Sequence, residues 1–76
     1  MPSRRELVSK KIDSDILNIL RSSELPVSTR DLGIKIKRAW HSVNNHCLRL
    51  QLDGKIEGFK IGNMNLWTIK KEYLKK

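Results

Sequence analysis

Apolar residues keep a helical spacing through the middle of the chain, and this pattern stops at Asp53-Gly54, where a β-type pattern replaces it. Before the stop, four apolar residues fall within one narrow arc of a helical wheel, which is typical of the buried face of a helix. They are Ala39, Val43, Cys47 and Leu50. A glycine accepts the left-handed conformation that commonly ends a helix. We therefore predict a helix that starts at Lys37 or Arg38 and ends at Leu52.

The segment after the stop predicts a β-hairpin. Two runs rich in β-forming residues, Ile56–Ile61 and Leu66–Ile69, are separated by Gly62-Asn63-Met64-Asn65, whose composition is typical of a turn. A basic segment, residues 70–76, follows the second run, and its Tyr73 and Leu74 are able to pack back on the body of the domain.

Two earlier segments predict helices. The first has apolar residues at helical spacing and ends near Ser22, because Pro26 cannot continue a helix. Its apolar residues are Ile12, Ile16, Ile19 and Leu20. A short extended segment follows, and Ser28 or Thr29 then caps a second helix. Leu32 and Ile36 face inward in this helix, and the small Gly33 lets another helix approach closely.

The start of the first helix has two interpretations. Ser3 precedes a glutamate by three residues, which is the spacing of a capping box. A start at Ser9 or Ser14 would instead leave a loose basic tail. We expect residues 1–8 and 70–76 to form flexible basic ends of the domain.

The order of these elements is helix, short strand, helix, helix, strand, turn, strand. It predicts an α+β fold of the winged helix-turn-helix type, with a three-helix core and a C-terminal β-hairpin as the wing. We assign residues 1–76 to one such domain. A chain of 76 residues builds only a small core and leaves little room for an enclosed substrate pocket.

The charge of the chain indicates a polyanionic partner. The net charge is +8, and it is uneven: residues 1–28 carry five basic and four acidic side chains, whereas residues 29–76 carry eleven and four. Nucleic acid and an anionic membrane surface are the candidate partners. The chain has no apolar run long enough to span a membrane and no signal-peptide core. With Cys47 as the only cysteine, we expect an intracellular, nucleoid-associated protein.

Four sequence features occur together in one known family. They are Ile16-Leu17-Asn18-Ile19-Leu20, Ser28-Thr29-Arg30-Asp31-Leu32, the series Val43, Cys47, Leu50, Gly54 and Ile56, and the strand Leu66-Trp67-Thr68-Ile69. With them, residues 12–69 resemble the small winged-helix transcriptional regulators of archaea, their viruses and their plasmids. The resemblance implies operator binding by the third helix, backbone contacts by the wing and, often, dimerisation. The sequence departs from this family in having bulky residues, Arg38, Trp40 and His41, early in the third helix.

The polar face of the third helix suits double-stranded DNA. Arginine pairs with guanine and asparagine with adenine through two hydrogen bonds each, while serine and histidine adapt to several bases. The candidate base-contact residues are Arg38, His41, Ser42, Asn44, Asn45 and Arg49. The remaining basic residues and the asparagines of the hairpin turn suit the phosphate backbone. The candidate backbone-contact residues are Arg30, Lys35, Lys37, Lys55, Lys60, Asn63 and Asn65.

Other conspicuous residues predict structural roles. Trp40 is expected to be a partly exposed packing residue, Trp67 and Phe59 core residues or a link between wing and helices, and Cys47 a small buried one. Leu48 and Leu52 lie off the core arc. We expect Leu7, Val8 or Tyr73 to cover them. The alternative is a homodimer, formed through this leucine pair or through the N-terminal helix. A monomer is also compatible with the sequence.

The sequence therefore favours a sequence-specific, double-stranded DNA-binding transcription regulator. The alternatives are non-specific architectural DNA binding, a protein-interaction module and an RNA-binding module, the last disfavoured by the small number of aromatic residues. We expect no metal site, because His41 and His46 point to different sides of the helix. We also expect no enzyme activity and no cofactor, because the chain shows no phosphate-binding loop and no nucleophile–base pair.

Overall fold

The structure is a computed structural model that describes residues 3–74. Its elements are α1 (Arg4–Ser22), β1 (Val27–Ser28), α2 (Thr29–Ile36), α3 (Trp40–Leu52), β2 (Ile56–Ile61), β3 (Met64–Ile69) and α4 (Lys71–Leu74). Strand β3 lies between β1 and β2 and pairs antiparallel with both. The predicted α+β winged helix-turn-helix is confirmed: α2 and α3 form the helix-turn-helix, and the β2–β3 hairpin forms the wing.

The core lies where the helices meet the sheet. Ile16 of α1, Leu32 of α2, Val43 and Cys47 of α3 and Ile56 of β2 are fully buried. Each of these elements therefore contributes at least one side chain to a single apolar cluster. The predicted inward faces of the three helices are confirmed, with Ile36 half-buried at the edge of the cluster and Ala39 as an exception, since it is exposed.

Helix α1 begins at the earlier of the two predicted starts. The Ser3 side chain accepts a hydrogen bond from the Glu6 amide at 3.1 Å, which satisfies one of the free N–H groups of the first turn. A start at Ser9 or Ser14 is therefore wrong. Residues 4–8 are helical rather than a loose tail, and residues 71–74 form α4. Residues 1, 2, 75 and 76 and the side chain of Leu74 lie outside the described part of the chain, so the expectations for them stay predictions.

Helix α3 starts at Trp40, so the predicted start at Lys37 or Arg38 is wrong. Lys37 takes the left-handed conformation, with φ of 58°, and ends α2. The Arg38 amide then donates to the carbonyl of Gly33, where a Cβ atom would lie only 3.0 Å from the Arg38 carbonyl oxygen. Because Gly33 has no side chain, the turn and the backbone of Trp40, the first residue of α3, can lie this close to α2. The prediction that a small residue in α2 lets another helix approach closely is therefore confirmed. Ala39 follows as the extended N-cap of α3.

The second strand of the wing is longer, and the turn before it tighter, than the sequence predicts. Strand β3 begins at Met64, which pairs with Ile61, so the turn consists of Gly62 and Asn63 alone. Gly62 has a φ of 59°, a conformation that glycine adopts without the steric cost of a Cβ atom. The tight turn leaves Asn65 within the strand, opposite Lys60.

Trp67 joins the wing to the helix-turn-helix. Its indole Nε1 donates a buried hydrogen bond of 2.8 Å to Oγ1 of Thr29, the first residue of α2. The Thr29 hydroxyl lies 3.5 Å from the backbone carbonyl of Asn65 and donates to it. The indole ring also lies over Gly58, its cross-strand partner, and confirms Trp67 as a core residue that links wing and helices.

Replacing Gly58 with alanine is expected to destabilise the domain by about 1–3 kcal/mol, which is typical of overpacking in a core. The added Cβ atom would overlap the six-membered ring of Trp67 and force the indole away from its place in the core. Denaturant unfolding followed by circular dichroism measures this loss. Gly54→Ala is not a suitable control because Gly54 has a positive φ, whereas Glu57→Ala changes an exposed neighbour on the same strand. Equal stability of the Gly58 and Glu57 variants would contradict the tight indole contact.

The thiol of Cys47 is buried in the core. Burial raises the pKa of this thiol from 9.0 to about 12, and the carboxylate of Asp13 acts in the same direction. The folded chain therefore holds the thiol proton more tightly than the unfolded chain. The resulting stabilisation is present in full below about pH 9 and is lost as the pH rises towards about 12.

We expect a thiol reagent at about pH 8 to label Cys47 only when the chain unfolds, because the thiolate is the reacting species. The labelling rate, measured with increasing urea, should follow the unfolded fraction. Fast labelling without denaturant would contradict the buried position of Cys47.

Candidate nucleic-acid interface

The outward face of α3 carries three of the predicted base-contact residues. Val43, Cys47 and Leu50 hold the opposite face in the core, and this fixes the rotation of the helix about its axis. His41, Asn45 and Arg49 are therefore exposed on the side that points away from the domain. Their donors and acceptors are available to a partner.

The other predicted base-contact residues lie beside this face. Ser42 is half-buried and faces the N-terminal half of α1. Asn44 faces the wing, beside Lys60 and Trp67, and its Oδ1 atom is buried without a hydrogen-bond partner among the described residues. Arg38 is exposed, but it lies in the turn before α3 and not on the helix. The structure thus places five of the six in or just before the N-terminal half of α3 and Arg49 in its last turn, and the six do not share one helical face.

Six of the seven predicted backbone-contact residues are exposed, on α2 with its following turn and on the wing. Arg30, Lys35 and Lys37 are exposed on α2 and the turn that follows it. Lys60, Asn63 and Asn65 are exposed on the wing. Lys55 is different: it is half-buried, and its ammonium group lies 5.9 Å from the centre of the Tyr73 ring. Lys55 therefore sits at the base of the wing, next to α4.

An inter-helix pair that the sequence did not reveal sets the position of α3. Nδ1 of His46 lies 2.8 Å from Oδ1 of Asp13 on α1, and both side chains are largely buried. His46 thus faces α1, whereas His41 is exposed and packs edge-on against Trp40, with 4.9 Å between ring centres. This confirms that the two histidines point to different sides of α3. The polar residues in the inward stripes of α1 and α3 were the signal for this pair.

Several apolar side chains are more exposed than predicted. The expected cover over Leu48 and Leu52 is wrong: they are 46% and 87% exposed, and Leu7 and Val8 are themselves exposed on α1. Phe59 is also not a core residue. It points to the outer face of the wing, because side chains alternate along a strand and Gly58 occupies the inward position. The outward face of α3 therefore carries His41 and Asn45 in its N-terminal half, and Leu48, Arg49 and Leu52 towards its C-terminal end.

The two tryptophans differ enough in exposure to be distinguished by fluorescence. Trp40 is 60% exposed at the N-terminal end of α3, whereas Trp67 is 3% exposed. If the N-terminal half of α3 enters a DNA groove, duplex DNA is expected to protect Trp40 from acrylamide quenching. The control is Trp40→Phe, which should retain a shielded Trp67 signal that DNA does not change. Undiminished quenching of Trp40 in saturated complexes would contradict this contact.

Among residues 3–74, no group of three histidine, cysteine or acidic side chains is placed to hold a metal ion. None of the helices in that range combines the length and apolar character that crossing a membrane requires.

Comparisons with known proteins concern the fold. No family model matches the chain, and no curated protein matches it. A solved chain from work on the DNA recognition and protein interaction domains of HOP2 has a TM-score of 0.71 at 19% identity, over 78% of this chain and 98% of that one. Human N-acetylserotonin methyltransferase in complex with SAM has a TM-score of 0.70 at 9% identity, over 86% of this chain but 20% of the enzyme. These likenesses agree with the element order and sheet pairing, and the chain has the winged helix-turn-helix fold.

Proposed function

We propose that this protein binds double-stranded DNA at preferred sequences and acts as a transcription regulator. The observation that carries the proposal is the exposed polar N-terminal half of α3, with His41 and Asn45 facing outward and Arg38 beside them. The N-terminal residues of a recognition helix are those that reach base edges in the major groove. The apolar C-terminal end, with Leu52, would then point away from the bases.

The distribution of charge supports this orientation. Basic side chains of α2 lie on one side of the N-terminal end of α3, and Lys60 of the wing lies on another. A helix in the major groove has a phosphate backbone along each side, and contacts to phosphates hold such a helix in register. Arg30 and Lys37, which line one groove with Arg38 and Trp40, would contact one stretch of backbone, and Lys60, Asn63 and Asn65 another. Lys35 lines a groove with Lys11 and Asp15 of α1 and would lie away from this stretch.

The likeness to HOP2 supports DNA as the ligand, and the resemblance to small archaeal winged-helix regulators supports the regulatory role. The HOP2 work concerns DNA recognition, and this chain matches nearly the whole of that solved chain, at 98%. The resemblance to small archaeal regulators adds the expectation that the bound sequence is an operator. The methyltransferase likeness covers a fifth of that enzyme and does not favour a catalytic role.

Selection of bound sequences from a random duplex library tests the proposal. We expect enrichment of a consensus, and Asn45→Ala is expected to relax it at one position, since asparagine pairs bidentately with adenine. Lys60→Ala is the matched control from the wing, and it should weaken binding to all sequences about equally. Binding without enrichment of any sequence would overturn the specific regulator and leave architectural binding.

The exposed leucines favour a second candidate, a protein-interaction surface that includes a homodimer. Leu48 and Leu52 lie four residues apart on one face of α3, without a cover among the described residues. Analytical ultracentrifugation over a range of concentrations distinguishes the candidates. Self-association that is lost in Leu48→Ser/Leu52→Ser, with duplex binding retained, would assign this end of α3 to a second copy.

A further inference from the structure

A cleft separates the N-terminal half of α1 from α3, on the side of α3 away from the wing. It is open to solvent and has a volume of about 820 Å³. Arg4 and Arg5 line it from α1, and Arg38 and Arg49 from the α3 side. We call it the arginine cleft. The two arginines of α1 lie more than thirty residues from α3 in the sequence, so only the fold brings the four together.

The arginine cleft has a large excess of positive charge. Glu6 is the acidic residue among its lining side chains. Among residues 3–74, Asp15 pairs with Lys11 and Asp13 contacts His46, and no acidic side chain pairs with an arginine of the cleft. All four arginines are exposed. Their guanidinium groups are therefore available to an anion.

The position of Arg4 and Arg5 is unfavourable for the stability of α1 alone. Both lie in its first turn, where the helix dipole is positive and a basic side chain is unfavourable. A bound anion would offset both this cost and the repulsion between the arginines. A planar guanidinium also matches phosphate oxygens through two parallel hydrogen bonds.

The walls of the arginine cleft are held at a set separation. Ile12 of α1 is buried in the core at its base, and the 2.8 Å contact between His46 and Asp13 joins α1 to α3 beside it. An extended chain of phosphates could therefore lie between the two helices without a rearrangement of the domain.

We propose that the arginine cleft binds the sugar–phosphate backbone of duplex DNA, on the side of α3 opposite to the wing. This rests on the proposed function and extends it to α1. The wing and the cleft then contact the two backbones that flank one major groove. Arg4 and Arg5 supply the outer phosphate contacts, and Arg49 lies at the border between backbone and bases.

Two variants with the same net charge test this proposal. Arg4→Gln/Arg5→Gln removes two charges from the cleft, whereas Lys10→Gln/Arg21→Gln removes two from the exposed opposite side of α1. Glutamine keeps a helix propensity close to that of arginine and lysine, so both variants should fold. The affinity for a selected duplex is measured over a range of salt concentrations for both variants and the unmodified chain.

The cleft variant is expected to reduce the slope of log affinity against log salt by about 1.8, since each phosphate contact contributes about 0.9. If the non-ionic part of the affinity is unchanged, this is about a 60-fold loss at about 0.1 M salt. The control variant should keep the original slope. Equal slopes or equal losses in the two variants would overturn the proposal, while binding by the unmodified chain would leave the proposed function in place. An unmodified chain that binds no duplex overturns both.

Neutral methylphosphonate groups give a second measurement that needs no change in the protein. Substituted one position at a time, they should reveal phosphates that matter to the unmodified chain and not to Arg4→Gln/Arg5→Gln. We expect these phosphates to lie next to one another in the duplex, on the side of the binding site away from the phosphates that the Lys60→Ala variant affects. The absence of such a group would overturn the assignment of the cleft.

Discussion

Replacing Trp67 with alanine is expected to cost about 3–5 kcal/mol of folding free energy, the largest loss for any single substitution considered for this domain. The side chain is 3% exposed, covers Gly58 and donates to the hydroxyl of Thr29. Its removal opens a cavity and leaves that hydroxyl without its donor. Small domains commonly have only about 5–15 kcal/mol in total, so the variant should lose a large fraction of its stability.

Urea unfolding followed by circular dichroism measures this effect, with two comparison variants. Trp40→Ala removes the same side chain from an exposed position, where it is 60% exposed, and should cost far less. Trp67→Phe keeps a ring in the core but loses the N–H group, and it should fall between the two. A Trp67→Ala variant as stable as Trp40→Ala would contradict the role of Trp67 as the link between wing and helices.

The double substitution Arg38→Ala/Arg49→Ala is expected to remove most duplex binding. Arg38 precedes the N-terminal end of α3, and Arg49 is exposed in the last turn of the same helix. Each arginine can contact a base or a phosphate of the same groove. A good bidentate arginine contact is worth roughly 1–3 kcal/mol. Loss of both should therefore weaken binding by at least about 30-fold.

Fluorescence anisotropy with a labelled, selected duplex gives the affinity. Lys10→Ala/Arg21→Ala is the control, because it removes two charges from exposed positions of α1 away from α3. A folded Arg38→Ala/Arg49→Ala variant that keeps the original affinity would overturn the assignment of α3 as the recognition helix. An equal loss in the control would reduce the effect to net charge alone.

Features that depend on neighbouring residues could be predicted from the sequence. The buried positions of α3 repeat at helical spacing, and Gly54 has the positive φ that a helix stop requires. The start of α3 could not be predicted, because it depends on the left-handed conformation of Lys37 and on the close contact between the Arg38 carbonyl oxygen and Gly33. A wheel drawn through residues 37–52 continues a helix through a turn that packing imposes.

The candidate site divides in the same way. The wheel correctly placed His41 and Asn45 on the outward side, because the buried side of α3 was known. The wheel could not show that Asn44, unlike its neighbours, faces the wing, because a helical wheel does not include the other elements of the fold. Arg4 and Arg5 were absent from the predicted interface because their position depends on the packing of α1 against α3.

The hydrogen bond between Trp67 and Thr29 has a consequence for the DNA. It joins β3 of the wing to the first residue of α2, and the Trp67 side chain is buried in the core, so a tilt of the wing would disturb both the bond and the core packing. A protein of fixed shape leaves the adjustment to the duplex, which must bend or narrow a groove to meet the wing and α3 at once. Sequences differ in the energy that such deformation costs. If the protein binds preferred sequences as proposed, these should include flexible base steps at positions that no side chain touches.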